Sequence, residues 1–200
     1  MQYNDLARLM NFDILFPLGF GLVIFALLKR ERGQQRRFLE QHALNRNGYL
    51  GGNFLQGPRL VFPVGGTEAA IYLKSGSKNS PPQTALTCAL NSSADYRLML
   101  SRESALGNFA KRMGLKDLSL NSKAFDEFFI VSGNNEPVIR NILNPAAQAA
   151  LLRIKDLNPD LRVNSESFHL SVPRKIREDQ ELDSFIDNGL VVLKNALAQS

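Results

Sequence analysis

A thiol–imidazole pair is the first chemistry to consider, because the chain has one cysteine and two histidines. Cys88 and His169 could act as nucleophile and base if the segments that carry them are neighbours in the fold. Cys88 lies in an alternating apolar segment, where a buried and unreactive thiol is typical. His169 alternates with Phe168 and Leu170, which predicts that it points to solvent from a strand. His42 is predicted to be a solvated surface residue, so the sequence favours no nucleophilic site.

Two groups of acidic residues could bind a cation or share a proton. Asp126 and Glu127 are adjacent, and Glu136 follows them. Neighbours on a strand point to opposite faces, so this pair is predicted not to share a ligand. The carboxylates between Glu178 and Asp187 are typical of a helix N-terminus and an exposed helix face. With so few histidines and cysteines a tetrahedral zinc site is nearly excluded, and the sequence predicts no metal or cofactor.

The usual phosphate-binding and hydrolase motifs are absent from the sequence. Gly19-Phe20-Gly21 has Ile24 where a dinucleotide fingerprint needs its third glycine, and neither a Walker A loop nor a G-x-S-x-G elbow occurs. The phenylalanines occupy core-like positions without the basic neighbours of a base-stacking surface. We therefore expect no nucleic-acid partner, and the sequence contains no recognisable catalytic set.

An apolar run from Ile14 to Leu28 contains no charged side chain. As a helix it would span about 22 Å, short of the roughly 30 Å of a hydrocarbon core. Its apolar surface on nearly every side and the basic residues directly after it favour a membrane helix over a buried core helix or a cleaved signal peptide. The residues predicted to form the anchor are Ile14, Leu15, Phe16, Leu18, Phe20, Leu22, Val23, Ile24, Phe25, Leu27 and Leu28.

The net charge of +5 is concentrated beside this run, where positions 29–46 hold six basic and two acidic residues. The positive-inside rule then predicts a single-pass protein of the cell inner membrane with its C-terminal part in the cytoplasm. Near an anionic lipid surface each basic residue contributes about 1 kcal/mol, so specific lipid contact and a topology signal alone both stay open. The residues predicted at the headgroups are Lys29, Arg30, Arg32, Arg36 and Arg37.

Three segments are predicted for the whole chain. They are an N-terminal segment with the anchor (1–30), a basic juxtamembrane helix with a Gly- and Asn-rich linker (31–58), and a soluble α+β domain (59–200). We expect the fold class to be α+β, with the transmembrane helix followed by an antiparallel sheet packed against amphipathic helices.

Hydrophobic periodicity gives the expected elements of the domain. Alternating runs at 60–64, 68–74, 84–90 and 96–100 predict an antiparallel meander. A further strand is expected at 125–131 and a β-hairpin between 161 and 172. Helices are expected at 137–143, from Pro145 with Asn144 as its N-cap, and from Asp179 to about Ala198, where leucines recur at helical spacing.

The order of elements after Phe125 resembles a known kind of domain. Phe125-Asp126, Phe129 and Val131 precede a turn, the pair Ile142-Leu143, a helix opened by Pro145, a hairpin and a terminal amphipathic helix. Together with the upstream 58–66 stretch, this resembles uncharacterised bacterial domains of unknown function that often follow one or two membrane helices. The resemblance covers roughly residues 36–198. It implies the α+β fold and no activity.

The anchor, the near-neutral body and the missing catalytic set favour a membrane-tethered cytoplasmic binding or scaffold domain over an enzyme. Its expected partners are membrane lipid and a protein, for which the connector 45–58 and the loop 75–83 offer irregular surface. The alternative is a membrane-associated enzyme acting on a lipid or membrane-bound substrate. That reading requires a concave pocket with converging polar groups.

Overall fold

Most of the alternating apolar segments lie in one antiparallel sheet. A computed structural model of the chain describes residues 26–27, 29–53, 57–78, 80–102 and 116–199. The strands are β1 (Tyr49–Gly51), β2 (Arg59–Val64), β3 (Thr67–Lys74), β4 (Gln83–Ala89), β5 (Arg97–Arg102), β6 (Lys116–Leu118), β7 (Phe129–Gly133), β8 (Asp160–Asn164) and β9 (Ser167–Val172). Within these described ranges nine strands pair in the order β1-β2-β3-β4-β9-β8-β5-β7-β6.

In sequence order, helices lie before, between and after the strands. The first, α1, covers 26–27 and 29–45. The others are α2 (Lys123–Asp126), α3 (Glu136–Ile142), α4 (Pro145–Arg153) and α5 (Asp179–Leu197), with a 3₁₀ turn at Lys155–Leu157. Asn144 caps α4, since its side-chain oxygen accepts a hydrogen bond from the Ala147 N–H at 3.0 Å.

The core lies between one face of the sheet and the helices. Leu86 of β4 and Leu170 of β9 are fully buried in the same cluster as Phe185 and Ile186 of α5. Gly189 lets α5 approach the sheet, because a Cβ there would lie 2.8 Å from Leu86 Cδ2. The other sheet face carries the alternate residues of each strand and is the more polar of the two.

The α+β class and most predicted elements are confirmed, but the meander is wrong beyond β4. Strands β1 to β4 are consecutive neighbours, whereas β4 pairs with β9 and β5 pairs with β8 and β7. The hairpin β8–β9 is therefore inserted between two strands that are adjacent in sequence. Periodicity specifies the strands one by one, and it carries no information about which strands pair.

The strand predicted at 125–131 is also wrong in its first half. Phe125 and Asp126 belong to α2, and β7 begins only at Phe129. The Asp126 carboxylate accepts hydrogen bonds from the Ser119 hydroxyl at 2.7 Å and from the Leu120 N–H at 3.2 Å. These local bonds favour a turn over an extended chain.

The predicted anchor falls almost entirely outside the described residues. Of the run 14–28 the structure describes Ala26 and Leu27, and the Leu27 side chain is 60% exposed. No helix among the residues described is both long and apolar enough to cross a membrane. The transmembrane helix accordingly stays a prediction.

Candidate functional site

One face of α1 packs against the folded body. Its buried residues are Gln35, Leu39, His42 and Ala43, which recur every three or four positions. Leu39 and Ala43 belong to the same hydrophobic core as the sheet, and β1 extends the sheet edge. The segment 31–58, which the sequence assigns to a juxtamembrane helix and linker, therefore contributes side chains to the core.

His42 lies between two carboxylates of α5. Its Nε2 is 3.0 Å from Asp179 Oδ1 and its Nδ1 is 3.0 Å from Asp183 Oδ1. The prediction that His42 is a solvated surface residue is wrong, because its side chain is 3% exposed. Phe38 adds an edge-on ring contact with centroids 5.3 Å apart.

Arg46 continues this row of contacts just after the last turn of α1. Its Nη1 lies 2.8 Å from Asp183 Oδ1 and its Nη2 lies 2.7 Å from Asp187 Oδ1. We call the contacts of His42 and Arg46 with Asp179, Asp183 and Asp187 the α1–α5 seam. The carboxylates were expected only to compensate the helix dipole and to keep the helix soluble. Their spacing of four residues on α5, matched by the spacing of four between His42 and Arg46, is the signal that was available in the sequence.

Glu31 fixes the other end of α1. Its carboxylate accepts hydrogen bonds from Lys175 Nζ at 2.8 Å and from the Ser75 hydroxyl at 2.7 Å. The hydrogen bond from Lys175, followed by that from Ser75, lowers the pKa of Glu31. Because Ser75 follows β3 and Lys175 lies between β9 and α5, this bond ties α1 to one end of the sheet.

The solvent-exposed surface of α1 carries cations. Lys29, Arg30, Arg36 and Arg37 are exposed, and Arg32 is half-buried. These are the residues predicted at the headgroups, and their contact with lipid remains a prediction.

Cys88 and His169 lie on neighbouring strands but do not meet. Cys88 pairs with Phe168 and Thr87 pairs with His169, so alternation puts the thiol on the helix side of the sheet and the imidazole on the other face. Burial raises the pKa of the Cys88 thiol and lowers the pKa of His169. His169 is half-buried beside the ring of Tyr72, rather than pointing freely to solvent.

The acidic candidates are similarly dispersed. Asp126 bonds within its own turn, and Glu127 is exposed at the end of α2. Glu136 forms an ion pair with Arg140 at 2.7 Å on α3. In the part of the chain that the structure describes, no three His, Cys, Asp or Glu side chains are placed to hold a metal ion.

Comparison with known proteins adds a likeness of fold. The chain matches no protein-family model and no curated protein, which is consistent with an uncharacterised family. A similar solved structure is the crystal structure of the mycobacterial trehalose monomycolate transport factor A, TtfA, with a TM-score of 0.54 and 10% sequence identity. The similarity covers 80% of this chain and 93% of the TtfA chain. At this identity the likeness concerns the fold alone.

Proposed function

We propose that the chain is a membrane-tethered binding domain on the cytoplasmic face, held to the membrane by α1 as a rigid stalk. The observation that carries this proposal is the attachment of α1 to the folded body. Leu39 and Ala43 are buried in the core, and the α1–α5 seam holds the helix along its second half. Glu31 holds it near the start.

Such a stalk differs physically from a flexible linker. A flexible linker lets a domain sample many orientations, whereas a helix packed along its length fixes both distance and orientation. Tethering also raises the local concentration of whatever the domain binds at the membrane. The domain would then always present the same end and the same face to partners in or near the bilayer.

The charge of α1 supports the same placement. Lys29, Arg30, Arg36 and Arg37 of α1 are exposed. Directly after an apolar run, such residues favour retention on the cytoplasmic side and attraction to anionic lipid. TtfA is named as a factor for transport of trehalose monomycolate. A role beside a transport process is compatible with the tether proposed here.

Membrane fractionation of the full-length chain tests the proposal. We expect the chain to sediment with membranes, to resist alkaline carbonate and to be released by detergent. A reporter at the C-terminus should be active in the cytoplasm. Replacing Lys29, Arg30, Arg36 and Arg37 with glutamine should reduce the cytoplasmic reporter signal, because the charge bias that sets orientation is removed.

A matched control replaces exposed cations elsewhere on the domain. Lys123, Arg153 and Lys194 are exposed on α2, α4 and α5, and their replacement with glutamine should leave topology unchanged. Full-length chain that stays in the supernatant after ultracentrifugation without detergent would overturn the tether. A topology that responds equally to both sets of substitutions would overturn the role of the α1 cations.

A further inference from the structure

A groove of about 610 Å³ lies on the sheet face opposite the helices. It crosses the end of the sheet at which β3 and β5 finish and β4 and β8 begin. Its floor includes Ser101 and Ser171, which are small and only 3% and 4% exposed. Ser101 of β5 and Ser171 of β9 lie on either side of β8, and their short side chains, bordered by longer ones, account for the depression.

The walls of the groove are stiff. Pro81 and Pro82 lie on one side, and Pro159 and Pro173 also line the groove. Proline fixes its own backbone angle and offers no N–H donor. These four prolines therefore supply no backbone N–H donor to a ligand.

Three of the side chains that line the groove are cationic and one is acidic. Lys74 of β3, Arg102 of β5 and Arg162 of β8 line the groove together with one carboxylate, Asp160. Arg102 Nη1 donates to Asn158 Oδ1 at 2.8 Å, and Arg162 Nε donates to Asp160 Oδ1 at 2.9 Å. Each bond orients its guanidinium and leaves further N–H donors for a ligand.

The groove also opens at the end of the sheet where α1 is attached. Ser75, which bonds Glu31 of α1, directly follows Lys74 in the wall of the groove. Pro173 likewise lies two residues before Lys175, the second partner of Glu31. In the membrane-tethered arrangement, this end is the one from which α1 leaves towards its predicted anchor.

We propose that this groove binds a phosphate ester, with Lys74, Arg102 and Arg162 as its ligands. Cations supplied by three strands suit a tetrahedral anion, whose oxygens point in several directions, better than a planar carboxylate. The phosphate could belong to a lipid headgroup or to a soluble phosphate. The identification of the ligand as a lipid headgroup rests on the proposed function, whereas the binding of phosphate does not.

Calorimetric titration of the full-length chain in neutral detergent tests this inference. The two ligands are inorganic phosphate and dihexanoyl phosphatidic acid below its micelle concentration, with dihexanoyl phosphatidylcholine as the zwitterionic comparison. We expect Arg102→Gln and Arg162→Gln each to weaken binding about tenfold, since each removes a charge-assisted hydrogen-bond donor. Lys74→Gln provides a third variant at an exposed position, where the fold should be retained.

Arg97→Gln is the matched control. Arg97 is exposed on the same strand and the same face as Ser101, at the far end of β5, and its replacement should leave binding unchanged. If inorganic phosphate and phosphatidic acid both bind, and the groove variants lose this binding, the phosphate group alone is sufficient for recognition. Binding of phosphatidic acid alone, lost in the same variants, identifies a lipid headgroup.

Two results would overturn the inference: no binding of either ligand, or equal weakening by Arg97→Gln and the groove variants. Sedimentation of the full-length chain without detergent separates this failure from failure of the tether. If the tether is wrong, the chain is soluble without detergent while the groove still binds inorganic phosphate. If the groove is wrong, the chain sediments with membranes and binds no phosphate.

Discussion

The imidazole of His42 on α1 lies 3.0 Å from the carboxylate of Asp183 on α5, although 141 residues separate them in the chain. The same carboxylate lies 2.8 Å from Arg46. Asp183 thus contacts both His42 and Arg46, whereas among the described residues of the seam Asp179 contacts only His42 and Asp187 only Arg46. Because Asp183 is shared, the three aspartates should contribute unequally to the free energy of unfolding.

We predict that Asp183→Asn destabilises the protein more than Asp179→Asn or Asp187→Asn. The loss should be about 1–2 kcal/mol in the free energy of unfolding, at the lower end for charged hydrogen bonds because Asp183 is 40% exposed and partly screened by solvent. Urea unfolding in detergent measures the difference. Trypsin cleavage after Arg36 and Arg37 should also accelerate as α1 loosens. Three variants of equal stability would contradict the sharing.

Thr84 gives a second test of what positions α5. The side chain is fully buried, and its hydroxyl donates to the Arg174 carbonyl and accepts from the Ile176 N–H, both at 2.9 Å. Thr84→Val keeps the shape and leaves the buried Ile176 N–H and the Arg174 carbonyl without this partner, which should cost about 1–3 kcal/mol. Thr87→Val is the control, since Thr87 is half-buried and donates one longer bond of 3.3 Å. Equal melting temperatures for the two variants would refute the argument.

Two glycines should respond to alanine in opposite directions. A Cβ on Gly133 of β7 would lie 2.6 Å from the Arg97 carbonyl oxygen and would also clash with Ile139, so Gly133→Ala should destabilise by about 1–3 kcal/mol. Gly33 lies within α1 with nothing inside 4 Å of its Cβ position. Gly33→Ala should stabilise the helix by about 0.5–1 kcal/mol. Shifts of the same sign in thermal unfolding would contradict this pair of predictions.

Local patterns predict local structure in this chain. Alternation identifies β2, β3 and β4, and the recurring leucines identify α5, because both periods are set by the geometry of single elements. Asn144 and Pro145 correctly mark the start of α4 for the same reason. The insertion of β8–β9 between β4 and β5 is a long-range choice that no local pattern encodes.

For the candidate site too, local features are predictable from the sequence and long-range contacts are not. The cations of α1 are recognisable from composition, and Lys29, Arg30, Arg36 and Arg37 are indeed exposed on a helix. The burial of His42 depends on carboxylates more than a hundred residues away, so its neighbours in sequence suggest a solvated residue instead. The groove is similarly invisible in sequence, since its three cations come from three separate strands.

Cys88 provides the last prediction, because a single cysteine makes the measurement unambiguous. Its side chain is 5% exposed, and burial raises the pKa of the thiol despite an opposing hydrogen bond with Thr67. Iodoacetamide should therefore alkylate the native chain on the order of a hundredfold more slowly than the urea-unfolded chain, since only the exposed thiolate reacts. As pH rises past the pKa of a free thiol, the unfolded chain ionises first, so the stabilisation from the buried neutral thiol should decline with rising pH. Cys88→Ala should lack that decline. Native alkylation as fast as that of the unfolded chain would show that the thiol is accessible and would reopen a chemical role for it.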